Sequence, residues 1–212
     1  MSCLKSSSCA GWPGTGSIPQ PRAATGDRLD AVNTGYKRGG IKAPGLTGGP
    51  CLYKDGFFLT GKIPYNELIA SAWKINETVP AYMVDQVRAL KPIDGSKAAV
   101  LGLAFKKNID DTRNSLAYKL RKILLTEGAE VHLHDPLIPS EPLDDVLRNA
   151  DFVFFAMNHD AYTELTPDVL RARARPDAVV CDIWNLLGTG KVVFPLDAPP
   201  AAERRAAQRP RS

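Results

Sequence analysis

The feature that most constrains this chain is the rhythm of its apolar residues between positions 97 and 196. Runs of strand length alternate there with amphipathic segments of helical period. KAAVLGLAF, AEVHLHD, DFVFFAM and DAVVCDIW read as strands. Between them NSLAYKLRKILLTEG (closing at Gly128), PLDDVLRNA and PDVLRARA read as helices. A strand that returns to its sheet through a helix pairs parallel with its predecessor, and a parallel sheet needs helices over its faces. The expected fold class is therefore α/β, with a doubly wound, Rossmann-like parallel sheet and flanking helices over 94–196.

Upstream lies a different texture. Residues 29–93 read as a helical segment that carries the glycine-dense stretch KRGGIKAPGLTGGPCLYKD, with the helix itself expected from about 66 to 90. Leu68, Ile69, Ala72, Ile75 and Val79 recur at helical spacing, and Tyr82, Met83, Val87 and Leu90 continue the face. Pro80 lacks an N–H and is expected to kink or split this helix. Residues 1–28 and 197–212 are rich in turn-formers and poor in large apolar side chains, and are expected to form a disordered leader and tail. Within the leader GWPGTGS looks like a phosphate loop, but it has neither a strand before it nor a helix after it and is rejected.

Composition excludes several function classes. The 212 residues are 44% hydrophobic, enough for one good core or one plus a small satellite. With 24% charged residues and a net charge of +4, the chain has no concentrated basic face interleaved with aromatics, so nucleic acid is not an expected partner. No apolar run approaches the roughly 18 residues of a membrane span, and the first residues lack a signal core. A soluble, cytoplasmic protein is expected. Cys3, Cys9, Cys51 and Cys181 show no zinc spacing, and a disulfide framework is not expected. Cys181, inside AVVCDIW, reads as a small buried hydrophobe. His132 and His134 share one strand face without a third ligand, so no metal is expected, and His159 is given no catalytic role.

Cys51 stands apart because glycines, a proline, a lysine and an aspartate surround it in GGPCLYKD. Glycines let backbone approach a ligand closely, and the charge of Lys54 favours a nucleophilic thiolate. Asp55, four residues on, is spaced to position or deprotonate a water. A surface turn holding an incidental cysteine fits the same residues, and on chemistry alone both readings stand.

Four blocks in order carry a resemblance: KAPGLTGGPCLYKDGFFL, AAVLGLAFKKNIDDTRNSLAYKL, EGAEVHLHDP and ADFVFFAMNHDAY. Together they resemble the C-terminal half of the UDP-glucose/GDP-mannose dehydrogenase family over about 30–190. The resemblance implies an NAD-dependent enzyme that oxidises the sugar C6 alcohol of a nucleotide-sugar to a carboxylate, supplying polysaccharide precursors. Cys51 would hold the aldehyde stage as a thiohemiacetal and then a thioester, which Asp55 helps water to hydrolyse. Lys42, Gly45, Leu46, Thr47, Gly48, Phe105 and Lys106 would contact the UDP-sugar, with lysine facing phosphate. Lys54 and Arg113 would face NAD, and a homodimer through the central helix is implied.

Departures accompany the likeness. Family members are longer, and their N-terminal half carries the NAD-binding fold and the Lys and Asn that flank the reacting carbon. Nothing before residue 29 resembles it, so a truncated chain lacking the NAD domain is expected. GLAFKKN also lacks G-x-G-x-x-G, so the 94–196 domain is not expected to bind a dinucleotide in the standard way. Leu46 and Thr47 replace positions where the family often has an aromatic or glycine, leaving the sugar open. A non-catalytic nucleotide-sugar-binding remnant or partner subunit is the alternative.

Overall fold

The computed structural model describes residues 31–36, 45–61 and 63–197. The chain divides into two units, 1–42 and 43–212. In the first, the described residues form one helical turn whose Tyr36 N–H donates to the Asn33 carbonyl at 3.0 Å.

The second unit is built on a five-stranded sheet: β1 (Lys97–Leu101), β2 (Glu130–His134), β3 (Phe152–Phe155), β4 (Val179–Cys181) and β5 (Val193–Pro195). The spatial order is β2-β1-β3-β4-β5. The first four strands are parallel, as the alternation predicts, while β5 runs antiparallel against β4. The sequence reading contained no β5, because VVF is too short to show a period. Five helices accompany the sheet: α1 (Leu52–Thr60), α2 (Glu67–Arg88), α3 (Leu116–Thr126), α4 (Leu143–Leu147) and α5 (Pro167–Arg173).

Strand pleat divides the core in two. Ala98, Val100, Phe152, Phe154, Val179 and Cys181 face one way, and α2 and α3 cover them with Met83, Val84, Val87, Leu120 and Leu124. Ala99, Leu101, Val153, Phe155 and Val180 face the other, packed by Val146, Leu147, Tyr162 and Leu170. Successive strand residues point to opposite faces, so both must be apolar, which is why these strands read as unbroken hydrophobic runs. Helix starts follow local chemistry: the Ser115 hydroxyl accepts from the Ala117 N–H, and that of Thr166 from the Val169 N–H.

Three expectations need correction. Pro80 does not split the long helix: α2 is one element of 22 residues, with Pro80 buried inside it at the loss of one backbone hydrogen bond. Nor is the predicted apolar face buried as a whole. Met83, Val84 and Val87 reach the sheet, but Leu68, Ile75 and Tyr82 are 81%, 66% and 46% exposed, because only the last turns of α2 lie over the strands. And Lys54 and Asp55 are not in a loop; they lie in α1, whose N-cap is Cys51.

At the carboxyl end of β1 the chain must turn sharply. Gly102 does so at φ +92, a conformation that L side chains rarely adopt, and a Cβ there would fall 2.5 Å from Cβ and 2.8 Å from the backbone nitrogen of Met157. Gly102→Ala should therefore lower unfolding free energy by roughly 2–4 kcal/mol, combining left-handed strain with overpacking. Denaturant titration checks this: the midpoint should fall with the slope unchanged, and an unshifted midpoint contradicts the packing described.

Candidate functional site

Two loops meet over the carboxyl ends of the parallel strands. One is the cysteine loop, 45–51; the other follows β1 and runs from Gly102 to the start of α3. Their contact is backbone-tight. The Gly49 N–H donates to the Asn114 carbonyl at 3.2 Å. A Cβ on Gly48 would lie 2.6 Å from that same oxygen, and one on Gly49, whose φ is +110, would lie 2.8 Å from the Phe105 ring. Only glycine allows this approach, which gives the GG of GGPC a physical reason.

The remaining loop residues are held from other sides. Leu46 is buried in the α2/α3 core, with 3% of its surface exposed. Gly45 lies against the Trp184 ring, whose indole N–H donates to the Ala156 carbonyl at 3.2 Å. Exposed Thr47 is clamped by Asn76 of α2: the Asn76 amide donates to the Thr47 carbonyl at 2.7 Å and accepts from its N–H at 3.3 Å. Lys42 lies outside the described residues.

Cys51 follows directly and is exposed. The Asp55 N–H donates to the Cys51 carbonyl at 2.8 Å, so the two side chains stand one helical turn apart on one face, with Lys54 beside them. The structure also brings Arg113 near the thiol. Hydrogen bonds donated to Asp111 and the charge of that carboxylate raise the Arg113 guanidinium above its ordinary value, and Cys51 adds to that effect. Arg113 is largely exposed and grips Asp111 through Nε at 3.0 Å and Nη2 at 2.6 Å. Arg113, far from Cys51 and Asp55 in sequence, is thus brought towards the same rim.

Phe105 is half-buried against the glycines, whereas Lys106 is exposed and makes no hydrogen bond or ion pair among the described residues. Its neighbour Lys107 is paired with Asp160 at 2.5 Å. Next to the cysteine loop is a cleft with room for about one water, lined in part by Thr47, Trp73, Asn76, Glu77 and Asn114. The Trp73 indole N–H is buried without an acceptor among the described residues.

Sequence reasoning missed several of these groups. Asn76 and Trp73 looked like ordinary helix residues, and their roles depend on which loop crosses the helix. Asp135, within the block EGAEVHLHDP, is 3% exposed and accepts from the N–H groups of Leu103 at 2.6 Å and Ala104 at 3.2 Å. Burial opposes its ionisation, but the His159 imidazole against it and hydrogen bonds from the Leu103 and Leu137 amides prevail and hold the carboxyl at about 2. His132 is bridged between Glu141 at 2.6 Å and Glu130 at 3.0 Å, an edge-strand ion pair.

Residues 99–189 match the model described as UDP-glucose/GDP-mannose dehydrogenase family, UDP binding domain. This C-terminal domain belongs to the UDP-glucose/GDP-mannose dehydrogenase family. A UDP-N-acetyl-D-mannosamine dehydrogenase of Pyrococcus horikoshii is 36% identical over 177 residues, which are 79% of this chain and 42% of that protein. The enzyme of the same name from Methanocaldococcus jannaschii is 30% identical over 151 residues, 68% of this chain and 35% of its own. Among solved structures, the NDP-N-acetyl-D-galactosaminuronic acid dehydrogenase of Methanosarcina mazei superposes with a TM-score of 0.62 at 34% identity, covering 69% of this chain and 36% of that one. The chain thus spans about two fifths or less of the relatives' length. No helix among the described residues is long and apolar enough to cross a membrane.

The two described cysteines differ in a measurable way. Burial pushes the Cys181 thiol far above the ordinary range, with the charge of Asp182 adding to it, and the residue has no exposed surface. Iodoacetamide at neutral pH should therefore modify Cys51 in the native protein and Cys181 only on unfolding. Equal native rates, read by mass spectrometry, would contradict this placement.

Proposed function

We propose that this chain supplies the nucleotide-sugar side of a cytoplasmic, NAD-dependent UDP-sugar 6-dehydrogenase, with UDP over the carboxyl edge of the sheet and Cys51 facing the sugar. The observation that carries this reading is the direct docking of the cysteine loop on the β1 loop, Gly49 against Asn114 and Phe105. That contact supports a reading in which the nucleophile and an exposed lysine serve one rim, at the strand ends where parallel sheets bind ligands. The match of residues 99–189 to a UDP binding domain supports the choice of nucleotide.

In this reading residues 94–196 form the nucleotide domain and 29–93 the segment that brings the thiol. Lys106 faces the diphosphate. Phe105, the backbone at Gly45, Leu46, Thr47 and Gly48, and Lys42 line the sugar-nucleotide. Cys51 holds the oxidised C6 as a sulfur adduct, and Asp55, on the same helix face, orients water at that carbon. NAD, when bound, would supply the hydride acceptor of the family's chemistry. Lys54 and Arg113 offer it cations, but the turn after β1 is Gly102-Leu103-Ala104-Phe105, without the glycine fingerprint of a dinucleotide cradle. We therefore do not assign this turn as the seat of a dinucleotide. The exposed Leu68, Ile75 and Tyr82 of α2, seven residues apart, support pairing of two copies through that helix. A non-catalytic nucleotide-sugar-binding subunit shares every binding feature and differs only in turnover.

Titration calorimetry with UDP and UDP-glucose tests the binding part. Weak binding is expected, with Lys106→Ala weaker by roughly tenfold, the scale of one charge-assisted phosphate contact. Light scattering on the same samples should read two copies. A folded protein that binds neither ligand contradicts the reading. Cys51-dependent NADH formation by this chain alone contradicts the absence of a dinucleotide seat and rules out the non-catalytic subunit.

A further inference from the structure

His159 has no exposed surface and stands directly after β3, at the crevice where the chain leaves β1 and β3 on opposite sides of the sheet. Its Nδ1 accepts the Asn108 N–H at 3.0 Å. An imidazole nitrogen that accepts an amide proton carries none itself, so a neutral His159 holds its proton on Nε2. Nε2 lies 3.2 Å from Asp135 Oδ2, close enough for strong attraction but at an angle that falls short of a hydrogen bond. That same Oδ2 takes the Leu103 and Ala104 amides. One imidazole and one carboxylate, in contact and out of water, thus hold three amides of the six-residue stretch that carries Lys106.

Outer bonds complete the frame. The Asn108 side chain accepts from the Asp160 N–H at 3.1 Å and donates to the Asp160 carboxylate at 2.5 Å, which also pairs with Lys107. The Phe105 N–H donates to the Asp111 carbonyl at 3.0 Å. Tyr162 packs edge-on against the imidazole with ring centres 5.8 Å apart, and its hydroxyl donates to the His134 carbonyl at 3.0 Å. Both neighbours of Lys106 are held, Phe105 within the loop by Asp111 and Lys107 from outside it by Asp160, while Lys106 itself is exposed and unpaired among the described residues. A core histidine that merely fills space needs no such relay, and Tyr162 and Phe155 already fill the apolar volume around it.

We propose that His159 is a positioning residue for nucleotide binding: with Asp135 it fixes the 103–108 loop so that Lys106 meets the diphosphate of a nucleotide-sugar. This rests on Lys106 being the phosphate ligand. Preorganising a flexible lysine's backbone removes ordering cost from the binding step, and a shift of about 1 Å in such a support is enough to lose the contact. The poorly aligned Nε2–Oδ2 contact leaves room to tighten when the anion arrives.

The test is a double-mutant cycle on UDP affinity with the whole chain. His159→Phe keeps the ring on Tyr162 and deletes both nitrogens; His159→Asn restores an acceptor near Nδ1. His159→Phe should weaken UDP by about tenfold and His159→Asn by less, in proportion to the amide left without a partner. Neither should weaken it further once Lys106→Ala is present, since both act through that lysine. A nitrogen-15 spectrum of the unaltered protein should show the Nε2–H tautomer, which keeps the proposal testable if His159→Phe does not fold. Additive losses, unchanged affinity in folded His159 variants, or the Nδ1–H tautomer would overturn it. If Lys106→Ala alone leaves UDP binding unchanged, the phosphate reading falls instead, a separable result.

Discussion

The structure depends on one close contact, the glycine pair Gly48–Gly49 lying against Asn114 and Phe105. Without it the cysteine belongs to a helical appendage and the lysine to an α/β domain, with no reason to act together. The contact needs two things at once. Gly49 must hold φ +110, and neither glycine can carry a Cβ, because backbone and ring atoms stand within 2.6–2.8 Å of where one would be. The other supports can be read as consequences. Asn76 holds Thr47 from α2, Trp184 closes over Gly45, and Leu46 anchors the loop in the core.

The loop that receives this contact is itself built from hydrogen bonds rather than secondary structure. After Gly102 its amides turn to Asp135, Asp111 and His159. Buried polar groups must find partners, and here Asp135 and His159 come from beyond the ends of the neighbouring strands β2 and β3, while Asp111 belongs to the loop itself. The carboxyl edge of the sheet thus serves as a frame for one loop that presents one lysine.

Much of this was legible in the sequence. The four parallel strands and their helices follow from apolar runs such as DFVFFAM, since strands buried on both faces cannot alternate. The cysteine loop and the GLAFK block announced themselves through glycine density and family likeness. What stayed hidden was long-range. The burial of Pro80 inside an unbroken helix depends on the sheet beneath it. β5 is three residues long and exists because Val180 has an open edge for Phe194. His159 looked inert because its meaning lies 51 residues away, at the Asn108 amide. The exposed half of α2 misled for the opposite reason: its period was genuine, but Leu68 and Ile75 stay mostly exposed among the described residues.

The claim that the two loops form one nucleotide-sugar site is open to direct test by amide chemical-shift mapping with UDP-glucose. Perturbed amides are expected at 45–51 and at 103–108 in the same titration, with a single apparent affinity for both sets and quiet amides at the opposite edge of the sheet around Asp151 and Asp177. Shifts confined to 103–108, with 45–51 unmoved at saturation, would contradict it and leave Cys51 outside the site.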